Sequence, residues 1–205
     1  MNYEALPAEE VVARTVAALK ERGVEASVVA TKEEALAKIK DVVPASVSVA
    51  NGSSTTLEQI GYIDYLKEGT HGWNNLHDAI LRETDPEKKA ELRKRSVVSD
   101  YYMGSVHAIS ETGEMVIGSA SGSQLPHLAF TSQHLVLVAG TQKIVPTLDA
   151  ALSRLKDYVF PLEDARMKST GAAGSLIAKV LIMAHEPSFM GRTVQLILVN
   201  EKLGF

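Results

Sequence analysis

Apolar positions recur at helical spacing through Ala8–Arg22, with Val12, Val16 and Leu19 on one face, Pro7 before the segment and Gly23 as its stop. A short apolar run, Ala26 to Ala30, predicts a strand. Thr31 and Glu34 have the spacing of a capping box, opening a second helix with Leu36, Ile39 and Val43 on one side and Pro44 at its end. Ser46–Ala50 predicts another strand, and the small-residue stretch from Asn51 leads into a helix running through Leu66. Gly69 to Asn75, which includes the single tryptophan Trp73, is polar and irregular. Pro86 to Val97 predicts a charged helix in which Asp85–Lys89 and Glu91–Arg95 place the acid first at i, i+4. Tyr102–Ser110 and Met115–Gly118 predict two strands joined by a tight turn, Glu111 to Glu114, with Gly113 where a positive φ is needed. Leu135–Ala139 is a fully apolar strand, Thr147–Val159 a helix, and Arg166–Ser175 a basic and small-residue flap or loop. Strands at Lys179–Ala184 and Thr193–Val199 close the chain.

Alternation of strands and helices predicts an α/β fold: a mainly parallel sheet with helices on both faces. The turn at Gly113 and the closing pair of strands add antiparallel pieces. No repeat or low-complexity linker divides the 205 residues, so one domain over 1–205 is expected, with 1–45 as a helical and strand lead-in.

Composition narrows the function classes. At 45% apolar residues the chain can bury a core without staples, and a formal charge of −4 provides no basic face for nucleic acid. No apolar run approaches the roughly 20 residues of a membrane span. Met1 to Glu10 has neither a basic nor an apolar signal region, so a cytoplasmic location is expected. Cysteine is absent, which excludes a thiolate nucleophile, a disulfide framework and an iron–sulfur cluster held by this chain's own thiolates. No haem, flavin or nicotinamide signal is present, and no intrinsic cofactor is expected. The six histidines contain no HExxH and no helical i, i+4 pair, so no metal site is assigned.

Three segments carry candidate chemistry. Asn51, Gly52, Ser53, Ser54, Thr55 and Thr56 follow a strand and open a helix, an arrangement that offers backbone N–H groups and hydroxyls to an anion. Thr55 and Glu58 alternatively form only a capping box. Glu111 at the hairpin tip is a candidate general base or nucleophile, or else solvated turn chemistry. His107, four residues earlier, has the spacing to share its face. Ser121, Gly122, Ser123 and Gln124 form a second small-hydroxyl loop after a strand, fit to bracket a polar ligand or to serve as a plain turn. Lys143 is a further candidate for neutralising charge.

Ala108-Ile109-Ser110-Glu111-Thr112-Gly113-Glu114-Met115-Val116 resembles the "AIAETGxLV" hairpin of the lactate-utilisation (LUD) domain family. His134 to Pro146, ending Lys143-Ile144-Val145-Pro146, resembles that family's "hxVVVGxxKIVPxLxxAL" stretch, and Val199 to Phe205 is similar to closings of its small, cluster-free members. The chain differs from branches with a Cys-rich C-terminal tail, and Lys168–Ser175 differs from a branch with a Pro-Ser-x-Thr-Ala-Asp-like stretch. The resemblance implies a fold similar to ribose-phosphate isomerases and coenzyme-A transferases, with the Asn51–Thr56 loop near a ligand anion. It also implies Glu111 as the counterpart of a transferase nucleophile. The expected function is an accessory role in oxidation of L-lactate to pyruvate, binding a small anionic metabolite and working with iron–sulfur partner proteins. The alternatives are a stand-alone enzyme using Glu111 on a sugar phosphate or acyl thioester, and a non-catalytic scaffold. Homodimerisation is the base-rate expectation.

Overall fold

In the computed structural model, which describes residues 1–205, α1 (Glu9–Glu21) packs Val12 and Leu19 inward and β1 (Glu25–Val29) follows. Helix α2 (Lys32–Val42) is capped as its sequence dictates: the Thr31 side chain accepts from the Glu34 N–H, and Glu34 reaches back to the Ala30 N–H at 2.7 Å. Strand β2 (Ser48–Asn51) leads into α3 (Thr55–Gln59), then α4 (Tyr62–Glu68), β3 (Asn74–Asn75), α5 (Leu76–Arg82) and α6 (Pro86–Arg95). After β4 (Tyr101–Gly104) come β5 (Ala108–Ser110), β6 (Met115–Ser119), β7 (His134–Gly140) and β8 (Ile144–Val145). Helices α7 (Leu148–Arg154) and α8 (Phe160–Ser169) precede β9 (Lys179–Met183) and β10 (Thr193–Val199).

Six strands form one wholly parallel sheet in the order β1-β10-β7-β4-β2-β3. Such a sheet is apolar on both faces because side chains alternate. Leu135, Leu137, Ala139, Leu196 and Leu198 point into the core shared with α1 and the hairpin. Val136, Val138, Ile197 and Val199 point into the core under α2, α3 and α4. A second sheet, β8-β5-β6-β9, pairs β5 with β8 in parallel and is otherwise antiparallel; α7 covers it through Ala151.

Four expectations are corrected. The predicted strand Tyr102–Ser110 is two strands in different sheets, because Gly104–His107 lets the chain leave one sheet for the other. The predicted helix through Leu66 breaks at Gly61, whose φ of 79° ends α3 and starts α4. The helix predicted to end at Val159 continues to Ser169, widening into a π-helical turn over Leu155–Val159 just ahead of Pro161, which has no N–H for the ladder. The closing strands do not pair with each other: β9 joins β6, and β10 inserts between β1 and β7. Asp85 caps α6 by accepting from Glu87 and Lys88 rather than pairing with Lys89, while Glu91 and Arg95 do pair, at 2.9 Å. No helix is long and apolar enough to cross a membrane.

Candidate functional site

Three neighbouring strands, β2, β4 and β7, run parallel and end at the same edge of the sheet. Their continuations are Gly52–Thr56, Ser105–His107 and Thr141–Lys143. Crevices at strand carboxyl ends are where open parallel sheets gather ligands. Here the three loops enclose a cavity of about 300 Å3. The loop after β6 forms a wall with Ser119, Ser121, Ser123 and Gln124, and α8 with the following segment forms another with Phe160, Arg166, Leu176 and Ile177. Gly204 and Phe205 close one end.

Lys143 is the centre of the polar lining. It is only 2% exposed and forms no ion pair. Its Nζ donates to Thr56 Oγ1 (3.1 Å), Ser105 Oγ (3.1 Å) and the Val106 carbonyl (3.0 Å). These acceptors are neutral, so nothing balances the charge. Burial, and after it the nearby Arg154 guanidinium, lower its pKa to about 7. Thr56 and Ser105, whose hydroxyls accept from the ammonium, line the cavity together with Lys143. A hydroxyl that accepts from a cation is a stronger donor onward, toward a ligand.

His107 lines the same cavity. Its Nδ1 accepts the Gly118 N–H at 3.0 Å, so in the neutral ring the proton sits on Nε2. Burial, Lys143 and Arg154 together push its pKa down to about 3, leaving a neutral donor at physiological pH. Behind it Arg154, fully buried, donates to the His107 carbonyl and packs beside the adjoining rings of Tyr3 and Tyr158, 5.8 and 5.1 Å from their centroids. Its Nε and Nη2 have no hydrogen-bond partner in the protein. Tyr102 stacks on His127 with centroids 4.4 Å apart, and its buried hydroxyl, bonded by the Gly52 N–H, has a raised pKa caused by burial. It stays a protonated donor. At the rim Arg166 and Glu163 neutralise one another through two bonds of 2.7 and 2.8 Å.

The sequence candidates divide. Gly52, Ser53, Ser54, Thr55, Thr56, Ser121, Ser123, Gln124 and Lys143 line this one cavity, although they come from both sheets. Ser54, rather than Thr55, caps α3, accepting from the Leu57 N–H. Asn51 lines an adjoining cavity. Gly122 lines neither; its φ of 84° shapes the turn against Lys179. Glu111 is not brought to the cavity. It sits at the hairpin tip in an ion pair with Arg14 at 2.6 Å, its N–H bonded to Val145, and it does not share a site with His107. Tyr102, Ser105 and Arg154 were missed, and His107 was considered only beside Glu111. The signal was Gly104 and Ser105, which interrupt an apolar run that periodicity extends to Ser110. No group of three or more His, Asp or Glu gathers to hold a metal.

A parallel sheet covered on both faces, with a donor-lined crevice at its carboxyl edge and a buried lysine inside, defines an α/β protein with a polar, cation-bearing cleft. The chain belongs to the LUD domain family: the family's model matches residues 12–198. That family is associated with lactate utilisation. Among solved structures the chain is similar to a DUF162 family protein from Deinococcus radiodurans, with a TM-score of 0.54 and 12% identity over 95% of this chain and 99% of that one, a likeness of fold. No curated protein matches.

Proposed function

We propose that the protein is an accessory component of lactate utilisation that holds a small anion, a carboxylate or phosphate, against Lys143. The observation that carries this reading is the buried lysine with no counter-charge, set among neutral donors in a cavity. An entering anion supplies the missing charge, while Thr56, Ser105 and His107 Nε2 donate to its oxygens. Hydrogen bonds to charged groups contribute about 1.5–3 kcal/mol each. The chain offers no thiolate, so its residues do not fit an iron–sulfur cluster. Electrons released by lactate oxidation would then travel on a cluster-bearing partner.

Glu111 as a catalytic group has less support, since Arg14 holds its carboxylate away from the cavity lining. Isothermal titration with L-lactate, pyruvate and inorganic phosphate tests the proposal. At least one is expected to bind, with Lys143→Met weakening it about 10- to 100-fold and Glu111→Gln changing it less than about twofold. Binding that survives Lys143→Met, or is lost in Glu111→Gln, overturns it.

A further inference from the structure

A second cavity of about 360 Å3 adjoins the first. The two share Gly52, Ser53, Tyr102, Ser121, Ser123 and Gln124, so they are chambers on either side of one neck. The neck is tight at Gly52: a side chain there would meet the Tyr102 hydroxyl at 2.9 Å and Gln124 Oε1 at 3.2 Å.

The second chamber has a different lining. Besides Tyr102, its ionisable side chains are His77 on α5, Arg93 on α6 and His127; no Asp or Glu lines it. Arg93 forms no ion pair, whereas Arg82 pairs with Asp78 and Arg95 with Glu91 on the same two helices. His77 is half-buried with its pKa lowered, first by burial and then by Arg93. Asn51 is 7% exposed on the chamber wall. Its Nδ2 donates to the Gly52 carbonyl at 3.2 Å, which fixes the amide's orientation and leaves buried Oδ1 with no partner. The chamber thus gathers the donors of Arg93 and His77 with no carboxylate among its lining residues.

We propose that the two chambers together bind a two-headed anion, with one acidic group at Lys143 and a second at Arg93 and His77. This rests on the anion site at Lys143 and extends it: the ligand is a metabolite bearing two separated acidic groups, carboxylate or phosphate, either of which the forked donor set of Arg93 accepts. The six shared residues stand between the chambers, so the two heads are held apart rather than chelated by one cation.

The test compares single-headed anions, glycerate and inorganic phosphate, with two-headed ones of increasing reach, 3-phosphoglycerate and fructose 1,6-bisphosphate. Titrations are run on the full chain at fixed ionic strength. At least one two-headed probe is expected to bind ten times or more tighter than either single-headed anion. In Arg93→Gln that ratio is expected to fall to within about twofold, and in His77→Gln by about threefold. Both positions are on the flank of the sheet, and α6 buries no residue, so the variants are expected to fold; far-ultraviolet circular dichroism verifies it. Amide exchange across residues 76–96 is expected to slow with the two-headed probe and not with phosphate. Equal affinity for both classes, or a ratio unmoved in Arg93→Gln, overturns the second site while leaving Lys143 as a single-anion site. Loss of no affinity in Lys143→Met removes both.

Discussion

Gly204 has a φ of 62°, and a side chain there would overlap Thr56 Oγ1 and come within 3.2 Å of Lys143 Nζ. Its N–H donates to Gln59 Oε1 at 2.6 Å, which holds the closing segment across the lysine. The lysine's unusual state therefore depends on a residue 61 positions further along, one that carries no chemistry itself. Gly204→Ala combines left-handed strain with that overlap. It is expected to destabilise the protein by about 1–3 kcal/mol and to weaken anion binding, seen as a lower urea midpoint together with a poorer titration. If affinity is unchanged at a lowered midpoint, Gly204 acts on stability alone. Lys143 was legible as a cation in the sequence. Its isolation from every carboxylate was not, because that is a statement about neighbours distant in the chain.

At the scale of the element, the hairpin that makes the family resemblance so plain has a structural role. Its tip docks on α1 through Arg22, whose guanidinium donates to the Thr112 carbonyl (2.5 Å), the Ala184 carbonyl (2.6 Å) and Glu114 (2.5 Å). Gly113, at φ 92°, lies so close to the Ala18 backbone that a side chain would collide with it. Burial raises the pKa of Glu114, but bonds from Ser110, Thr112 and its own N–H, with the Arg22 charge, outweigh this and leave it below the ordinary value of 4.5. A depressed carboxylate contributes stability that is present above pH 4.5 and is lost as pH falls through its folded value. Arg22→Ala is expected to lower unfolding free energy by about 1–3 kcal/mol, measured by urea denaturation at pH 7. The loss shrinks as pH falls from 4.5 through the lowered folded value, where Glu114 takes up its proton. The same variant leaves anion affinity intact, since neither Arg22 nor Glu114 lines the cavity; a matching loss of affinity would show the hairpin tip to be coupled to the site. Polar punctuation at Glu111–Glu114 revealed the turn, yet the role of its acids depended on which helix lay beneath them.

For the whole molecule, the pH response is set by Lys143. Its folded pKa, about 7, lies below the ordinary 10.5. Between these values the unfolded chain binds a proton that the folded one does not, so this group makes the ligand-free protein more stable as pH rises from 7 toward 10.5. A bound anion has the opposite preference, because it favours the charged lysine. Affinity for an anion that does not itself titrate, such as sulfate or L-lactate, is thus expected to fall by up to about tenfold per pH unit above 7. At 100 times Kd a ligand stabilises by about 2.7 kcal/mol, or roughly 5–10 °C for a domain of this size. The expected thermal shift is therefore larger at pH 6 than at pH 8.5 at one fixed concentration. A shift independent of pH would mean that Lys143 is charged throughout.

Sequence by itself determined the fold class, the positions of most elements and the small-residue loops, because helix period, strand alternation, caps and turn glycines are local and each is written within a few residues. It also supplied Lys143 and the family resemblance. Tertiary structure alone decided that β2, β4 and β7 are neighbours, so that loops separated by nearly a hundred residues meet over one lysine. It decided that the apolar run after Tyr102 divides between two sheets and delivers Ser105 and His107 to the cavity. It also turned Glu111 outward to Arg14. Strand order and sheet switching arise from burying both faces of a parallel sheet at once, a constraint on the whole chain that no short window of residues expresses.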